Sequence, residues 1–180
     1  TIIYSLINRY SPEDLNVYCL DYSSRALAAF ENSAHVGGII YEEDEEKVGR
    51  FFYLISKILK ERKKEFRGGN FTQYYKSNGL KYPAIVVAID NFGNFDSKTS
   101  SKYLEQVVTL AKEGEANGIY LLISGANFSL TEIPSKIAGN IKSKDIRVSG
   151  KIKGDLDIDG SVFMTSGSLV DGDITSDDFS

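Results

Sequence analysis

The chain has 180 residues, 42% apolar and 26% charged, a globular balance that excludes a disordered polyelectrolyte. Its formal net charge is −4, and residues 1–142 carry 17 basic and 17 acidic groups while residues 143–180 carry 4 and 8. The surplus negative charge therefore lies in the tail, and no strongly basic face points to a nucleic acid.

One cysteine, Cys19, rules out an internal disulfide and suits a reducing compartment. The longest apolar run, residues 84–89, is far short of the roughly 20 residues that cross a bilayer. No direct insertion of this segment into a membrane is expected. The opening Thr1-Ile2-Ile3-Tyr4 has neither a methionine nor a signal-peptide pattern and reads as the middle of a longer polypeptide.

In chain order, Ile2, Ile3, Leu6, Ile7 and Tyr10 fall at helical spacing. Ser11-Pro12-Glu13-Asp14 is turn chemistry, and LNVYCL then reads as a strand ending at Asp21. His35-Val36-Gly37-Gly38 is expected to turn into a strand at Ile39-Ile40. The clearest helix covers residues 42–66, with Val48, Phe51, Phe52, Ile55, Ile58 and Leu59 on one stripe. Acidic residues 42–46 crowd its start and the basic run 60–64 its end, each with the sign the helix dipole favours. That basic run is read as a solvated helix end, and Gly68-Gly69 as the stop.

AIVVAID (residues 84–90) is a near-continuous apolar run, the pattern of a strand covered on both faces. A helix is expected over residues 100–114, followed by a second buried strand at GIYLLIS. Helix and strand alternate, which defines an α/β domain with a parallel sheet and helices on both faces. Such sheets place ligands beyond the carboxyl ends of their strands. Here those ends are Asp21-Tyr22-Ser23-Ser24, Asp90-Asn91 and Ser124-Gly125-Ala126-Asn127, all small or polar.

Beyond residue 142 the pattern changes. Apolar residues mostly alternate, and Gly150, Gly154, Gly160, Gly167 and Gly172 interrupt them. This is an all-β segment of hairpins or solenoid coils, so the expected domains are residues 1–142 and 143–180.

An apolar strand ending in Asp has the Walker B form, in which the carboxylate holds the Mg²⁺ of a nucleotide. Asn91 follows Asp90 where hydrolysing motors commonly carry Glu, and an amide cannot take a proton from water. Nowhere in the 180 residues is there Gly-x4-Gly-Lys-Ser/Thr, the loop whose amides and lysine cradle phosphates. Asp155-Leu156-Asp157-Ile158-Asp159-Gly160 begins like a calcium loop, but Ser166 stands where a bidentate Glu is needed; it reads as a strand with acidic residues facing water. A lone histidine, His35, excludes multi-histidine metal sites. Asn70-Phe71-Thr72 and Asn127-Phe128-Ser129 match the glycosylation pattern by coincidence. The eleven tyrosines and ten phenylalanines are read as packing the core and rims; the alternative for Phe92, Phe95 and Phe128, near the expected crevice, is to receive an apolar partner helix.

Several ordered blocks carry a family resemblance. They are LNVYCLDYSSRALAAFENSAHVGGIIYEEDEEKVGRFFYLISKILKERKK, YPAIVVAIDNFGNF, LAKEGEANGIYLLISG and EIPSKIAGNIK. The region up to about residue 142 resembles the FtsK/SpoIIIE family of ATPases, and more narrowly the C-terminal ATPase module of the EssC/EccC/YukB group in type VII secretion.

The resemblance implies a RecA-like, P-loop-NTPase-type sheet, with ATP and Mg²⁺ as cofactors. It implies neighbouring ATPase modules and small helical secreted substrates as partners, and a place in the cytoplasmic part of a membrane-anchored machine. It also implies that Asp90 is the Walker B aspartate and potential Mg²⁺ contact, and that Asn91 stands where the catalytic glutamate would be. Ser124 falls at the polar sensor position and Asp21 at the end of the strand after the phosphate-loop helix; with Asp90, these are the candidate nucleotide-binding residues. With the loop missing, the expected function is a degenerate nucleotide-binding module that docks partners. The alternative is an active ATPase whose loop lies outside these residues. The tail resembles coils of a bactofilin-type β-helix, which implies a further alternative: a polymer-forming structural protein, hence a homo-oligomer.

Overall fold

β-Branched and aliphatic residues in four runs, each ending at a polar or turn residue, make four parallel strands: β1 (Leu15–Asp21), β2 (Val36–Tyr41), β3 (Ala84–Asp90) and β4 (Ile119–Ile123). The computed structural model describes residues 2–79 and 81–125, Pro134 and Ile137, and the backbone of short strands between residues 142 and 179. The chain divides into two compact units, Thr1–Ser124 and Gly125–Ser180. The change of sequence pattern at residue 143 falls inside the second unit.

In the first unit the strand order is β2-β1-β3-β4, and every pairing is parallel. The helices are α1 (Ile2–Arg9), α2 (Glu45–Phe66), α3 (Phe71–Asn78), α4 (Phe92–Lys98) and α5 (Leu104–Glu113). A 3-10 turn spans Ala26–Phe30 between β1 and β2. The expected helix over 100–114 is α5, which begins at Leu104 after a turn with Ser100 and Ser101 at positive φ; α4, before that turn, had no counterpart in the sequence reading.

Strand alternation sorts the core onto two faces. Leu15, Val17, Cys19, Val86 and Ala88 point to one face, where Ile3, Leu6 and Ile7 of α1 and Leu27 and Phe30 of the 3-10 turn cover them. On the other face Tyr18 meets Phe51 of α2, ring centroids 5.8 Å apart. There Phe52 stacks on Tyr103 at 4.8 Å and approaches Phe95 at 6.0 Å. Phe92 and Phe95 are fully buried. They close the core under α4, as the core reading expects, and the alternative that they receive a partner helix is corrected; Phe128 lies outside the described residues.

α3 escaped the sequence reading, although its signal is present. The Asn70 side chain accepts the Gln73 amide at 2.9 Å and the Gln73 side chain accepts the Asn70 amide at 3.2 Å, a capping box hidden in what read as a coincidental glycosylation pattern. α2 ends as expected before Gly68, but the residue that adopts the left-handed terminal conformation is Arg67, at φ 51°.

The basic end of α2 requires a correction. Lys60, Lys63 and Lys64 face solvent, with Lys63 paired to Glu113 at 2.8 Å, but Arg62 is 3% exposed. It lies on the apolar stripe of α2, which carries it beneath the sheet. Its guanidinium donates to the carbonyls of Asn117 (2.8 Å), Gly118 (3.1 Å) and Pro83 (2.6 Å). These carbonyls immediately precede β4 and β3, so one side chain ties α2 to the amino ends of two strands. Phe71 and Tyr82 flank it, each 5.6 Å from the guanidinium carbon. Nearby, Glu65 accepts hydrogen bonds from Lys81, Tyr74 and Tyr82. These donors, Lys81 first, hold its carboxyl at about 2.

Among the described residues of the second unit every strand pairing is parallel. Lys142 lies opposite Asp157, Ile146 opposite Val162, Lys151 opposite Leu169, and Leu156 opposite Ile174. No helix connects these strands among the described residues. Hairpins give antiparallel pairs, whereas successive coils of a solenoid give parallel pairs at a nearly fixed spacing. The calcium-like acidic run falls largely in the strand Leu156–Met164; Asp155 and Ser166 lie outside the described residues.

Replacing Arg62 by Ala removes all three carbonyl contacts at a site closed to water, so the free energy of unfolding should fall by about 3 kcal/mol. Arg62→Lys, which lacks the planar fork, should recover less than half of that loss. Urea unfolding of the two variants reads both numbers.

Candidate functional site

The carboxyl edge of the sheet brings the expected residues together. Asp21 and Asp90 are register partners on adjacent strands, about 4.8 Å apart along the ladder. By alternation they share a face with Cys19 and Ala88, the face under α1. Ser124 follows β4, beside β3, and its amide donates to the Ile89 carbonyl at 3.0 Å.

Each has a defined partner. The Ser124 hydroxyl donates to Asp90 Oδ1 and accepts the Asn91 amide at 3.1 Å. The Ser124 carbonyl accepts the Phe92 amide at 2.9 Å. Asn91 is left-handed, with φ 60° and ψ 68°, and its side chain caps α4 by accepting the Asn94 amide. Asn tolerates this conformation better than most residues, so the chain turns sharply from β3 into α4 at this position.

Asp21 is 2% exposed. Its Oδ1 accepts the Ser23 amide at 3.2 Å and its Oδ2 the Leu27 amide at 3.0 Å. Both oxygens therefore hold the loop that leads from β1 into the 3-10 turn.

Around this edge lie residues that sequence reasoning did not single out. The Tyr22 amide donates to the Asp90 carbonyl at 3.1 Å. Asn94 Nδ2 donates to the Tyr22 carbonyl at 2.8 Å and to Glu42 Oε2 at 3.2 Å, and Lys98 pairs with Glu42 at 3.7 Å. Asn94 thereby joins the ends of β1 and β2 to α4. Glu42 had drawn notice only as helix-start charge, and nothing in the sequence marks Asn94. Arg25, left-handed at φ 58°, lies over the Tyr41 ring at 4.5 Å and pairs with Glu43.

The electrostatics follow burial. The Cys19 thiol is pushed up to about 12, first by desolvation and then by the charges of Asp21 and Asp90; it stays protonated and unreactive. Burial, reinforced by Tyr103 and by the acidic residues 42, 44 and 45, pushes the Tyr22 phenol to about 12. Among the described residues no group of three or more His, Cys, Asp or Glu side chains is arranged to hold a metal ion. No helix among them is long and apolar enough to cross a membrane.

A parallel sheet with helices on both faces and its polar residues gathered at the carboxyl edge is the architecture of a RecA-like ATPase domain. The FtsK/SpoIIIE family model matches residues 1–80. The chain is similar in sequence to the type VII and ESX secretion system proteins EssC, EccC and YukB. It is 29% identical over 147 residues to the type VII secretion system protein EssC of Staphylococcus aureus, an alignment that covers 79% of this chain and 10% of that protein.

Two solved structures share the fold. EssC ATPases 2 and 3 from Geobacillus thermodenitrificans superpose with a TM-score of 0.72 at 23% identity, over 78% of this chain and 27% of that one. EccC ATPases 2 and 3 from Thermomonospora curvata, in complex with a signal sequence peptide, superpose at 0.71 and 22%, over 78% and 26%. The chain spans about a tenth of the length of the curated EssC, EccC and YukB relatives.

Asp21→Ala leaves two part-buried loop amides without their acceptors, which should lower stability by about 1 kcal/mol. It should also open residues 23–27 to limited proteolysis while the rest of the sheet stays resistant.

Proposed function

We propose that this chain is a degenerate nucleotide module of a type VII secretion ATPase, serving as a docking element for neighbouring ATPase modules or small helical secreted substrates. On this reading it works in the cytoplasmic part of a membrane-anchored machine and turns over little or no ATP. The observation that carries the reading is the state of Asn91. In the position after the Walker B-type Asp90 stands an amide that cannot accept a proton from water, and it is committed as the cap of α4.

The residues toward ATP and Mg²⁺ support the same reading. The homologous family uses nucleotide and Mg²⁺ in general, and Asp90 is the residue that would face the metal. Its Oδ1 already accepts the Ser124 hydroxyl, and both Asp21 oxygens accept backbone amides. No phosphate-binding Gly-x4-Gly-Lys-Ser/Thr occurs in the 180 residues. These side chains alone do not fit a magnesium nucleotide, because nothing among the 180 residues cradles its phosphates in the Gly-x4-Gly-Lys-Ser/Thr manner. The peptide-docking half of the proposal is carried over from the Thermomonospora curvata relative, solved with a signal sequence peptide.

Titrating fluorescent ATP with Mg²⁺ into the chain, read by anisotropy alongside phosphate release, tests this reading. The expected result is no saturation in the micromolar range and no turnover. Low-micromolar saturation or steady phosphate release would overturn it and favour an active ATPase.

A further inference from the structure

α2 carries a second face that the fold does not use. Its apolar stripe is buried against the sheet, but Tyr53 and Leu54 lie on the solvent side, 74% and 41% exposed. Tyr53 is the most exposed large hydrophobic side chain among the described residues. Around this pair, at the 3.6-residue helical period, stand Glu46, Arg50, Lys57, Glu61 and Lys64, all exposed. The face is acidic where it begins, apolar in the middle and basic where it ends. Within the helix Glu46 pairs with Arg50 and Lys57 with Glu61. Lys64 has no ion-pair partner among the described residues.

This pattern is its own complement when the helix is reversed. α2 runs from Glu45 to Phe66, so its midpoint falls between Ile55 and Ser56. Glu46 and Lys64 lie nearly the same distance on either side of that midpoint, and so do Arg50 and Glu61. A two-fold axis there sets Glu46 of one copy against Lys64 of the other, and Arg50 against Glu61. Each contact occurs twice, as an isologous interface requires. By helical spacing Glu46 and Lys64 share one flank of the face and Arg50 and Glu61 the other, so the two kinds of pair do not cross. At the centre Tyr53 and Leu54 meet Lys57 of the second copy. Its ammonium can lie over the Tyr53 ring and its methylene stem can cover Leu54. A parallel pair would instead oppose Glu46 to Glu46 and Lys64 to Lys64, which repel.

We propose that the outer face of α2 is a self-recognition surface, on which a second copy of this chain docks its own α2 antiparallel about the helix midpoint. The helix is about 33 Å long, and one helix laid on another covers less than the roughly 1,200 Å² at the low end of stable interfaces. The pair is therefore weak and reversible. Neither a nucleotide nor the carboxyl rim takes part in this contact, so it stands or falls separately from ATP binding.

Sedimentation equilibrium of the chain and of two charge-reversed variants provides the test. The chain should dimerise with a dissociation constant on the order of 100 µM, as suits a contact of this size. One variant combines Glu46→Lys with Arg50→Glu, the other Glu61→Lys with Lys64→Glu. Each sets like charges together in its own dimer and should associate about tenfold more weakly than the chain. An equimolar mixture of the two restores every pair and should recover the original constant to within about threefold. Tyr53→Ser, which changes no charge, should weaken the dimer about fivefold. Four results would overturn the proposal. They are a chain that stays monomeric to about tenfold above that constant, association that both charge variants retain, a mixture as weak as its components, and no loss in Tyr53→Ser.

Discussion

The Ser124 hydroxyl stands between the Asp90 carboxylate and the Asn91 amide, and the carboxyl edge of the sheet is organised around that junction. β4 is held to β3 by backbone ladder bonds, as any parallel strand would be, but the ladder alone does not fix how the chain leaves β3. The turn into α4 needs Asn91 in a left-handed conformation, a state that costs a non-glycine residue of order 1 kcal/mol. Ser124 offsets this by accepting the Asn91 amide through its hydroxyl and the Phe92 amide through its carbonyl. With α4 placed, Asn94 reaches the Tyr22 carbonyl and Glu42 and draws in the ends of β1 and β2.

This arrangement accounts for two carboxylates side by side at one edge of the sheet. Carboxylates near one another repel unless each is solvated by donors. Here Asp21 is solvated by two backbone amides and Asp90 by a hydroxyl. Those bonds give both Asp21 oxygens and Oδ1 of Asp90 a donor each. At the other end of the sheet Arg62 performs the corresponding task with the opposite sign, its donors satisfying carbonyls that lead into β3 and β4. Side chains thus secure both ends of β3 and β4.

Much of this was legible in the sequence wherever hydrophobic periodicity dominates. β1, β3, β4 and α2 follow from runs and stripes that only one element type satisfies. The convergence of Asp21, Asp90 and Ser124 follows from parallel strands ending at one edge. What escaped depends on long-range placement. Arg62 reads as part of a solvated basic run, because its burial is decided by the carbonyls it meets more than 20 positions away. Phe92 and Phe95 read as rim residues because the short α4 that turns them inward has no periodicity long enough to see. The capping box at Asn70 and Gln73 was visible but lay in a segment with no apolar stripe to call attention to it.

The central claim is that the rim is closed upon itself by side-chain-to-backbone hydrogen bonds. Amide hydrogen exchange at Ser23, Leu27 and Asn91 tests it most directly, since each of these amides bonds to a side chain of the rim. Closure predicts that all three exchange orders of magnitude more slowly than free chain, in the range of the neighbouring strand ends. Exchange at free-chain rates, with the strands still protected, would contradict it and leave Asp21 and Asp90 open to a ligand.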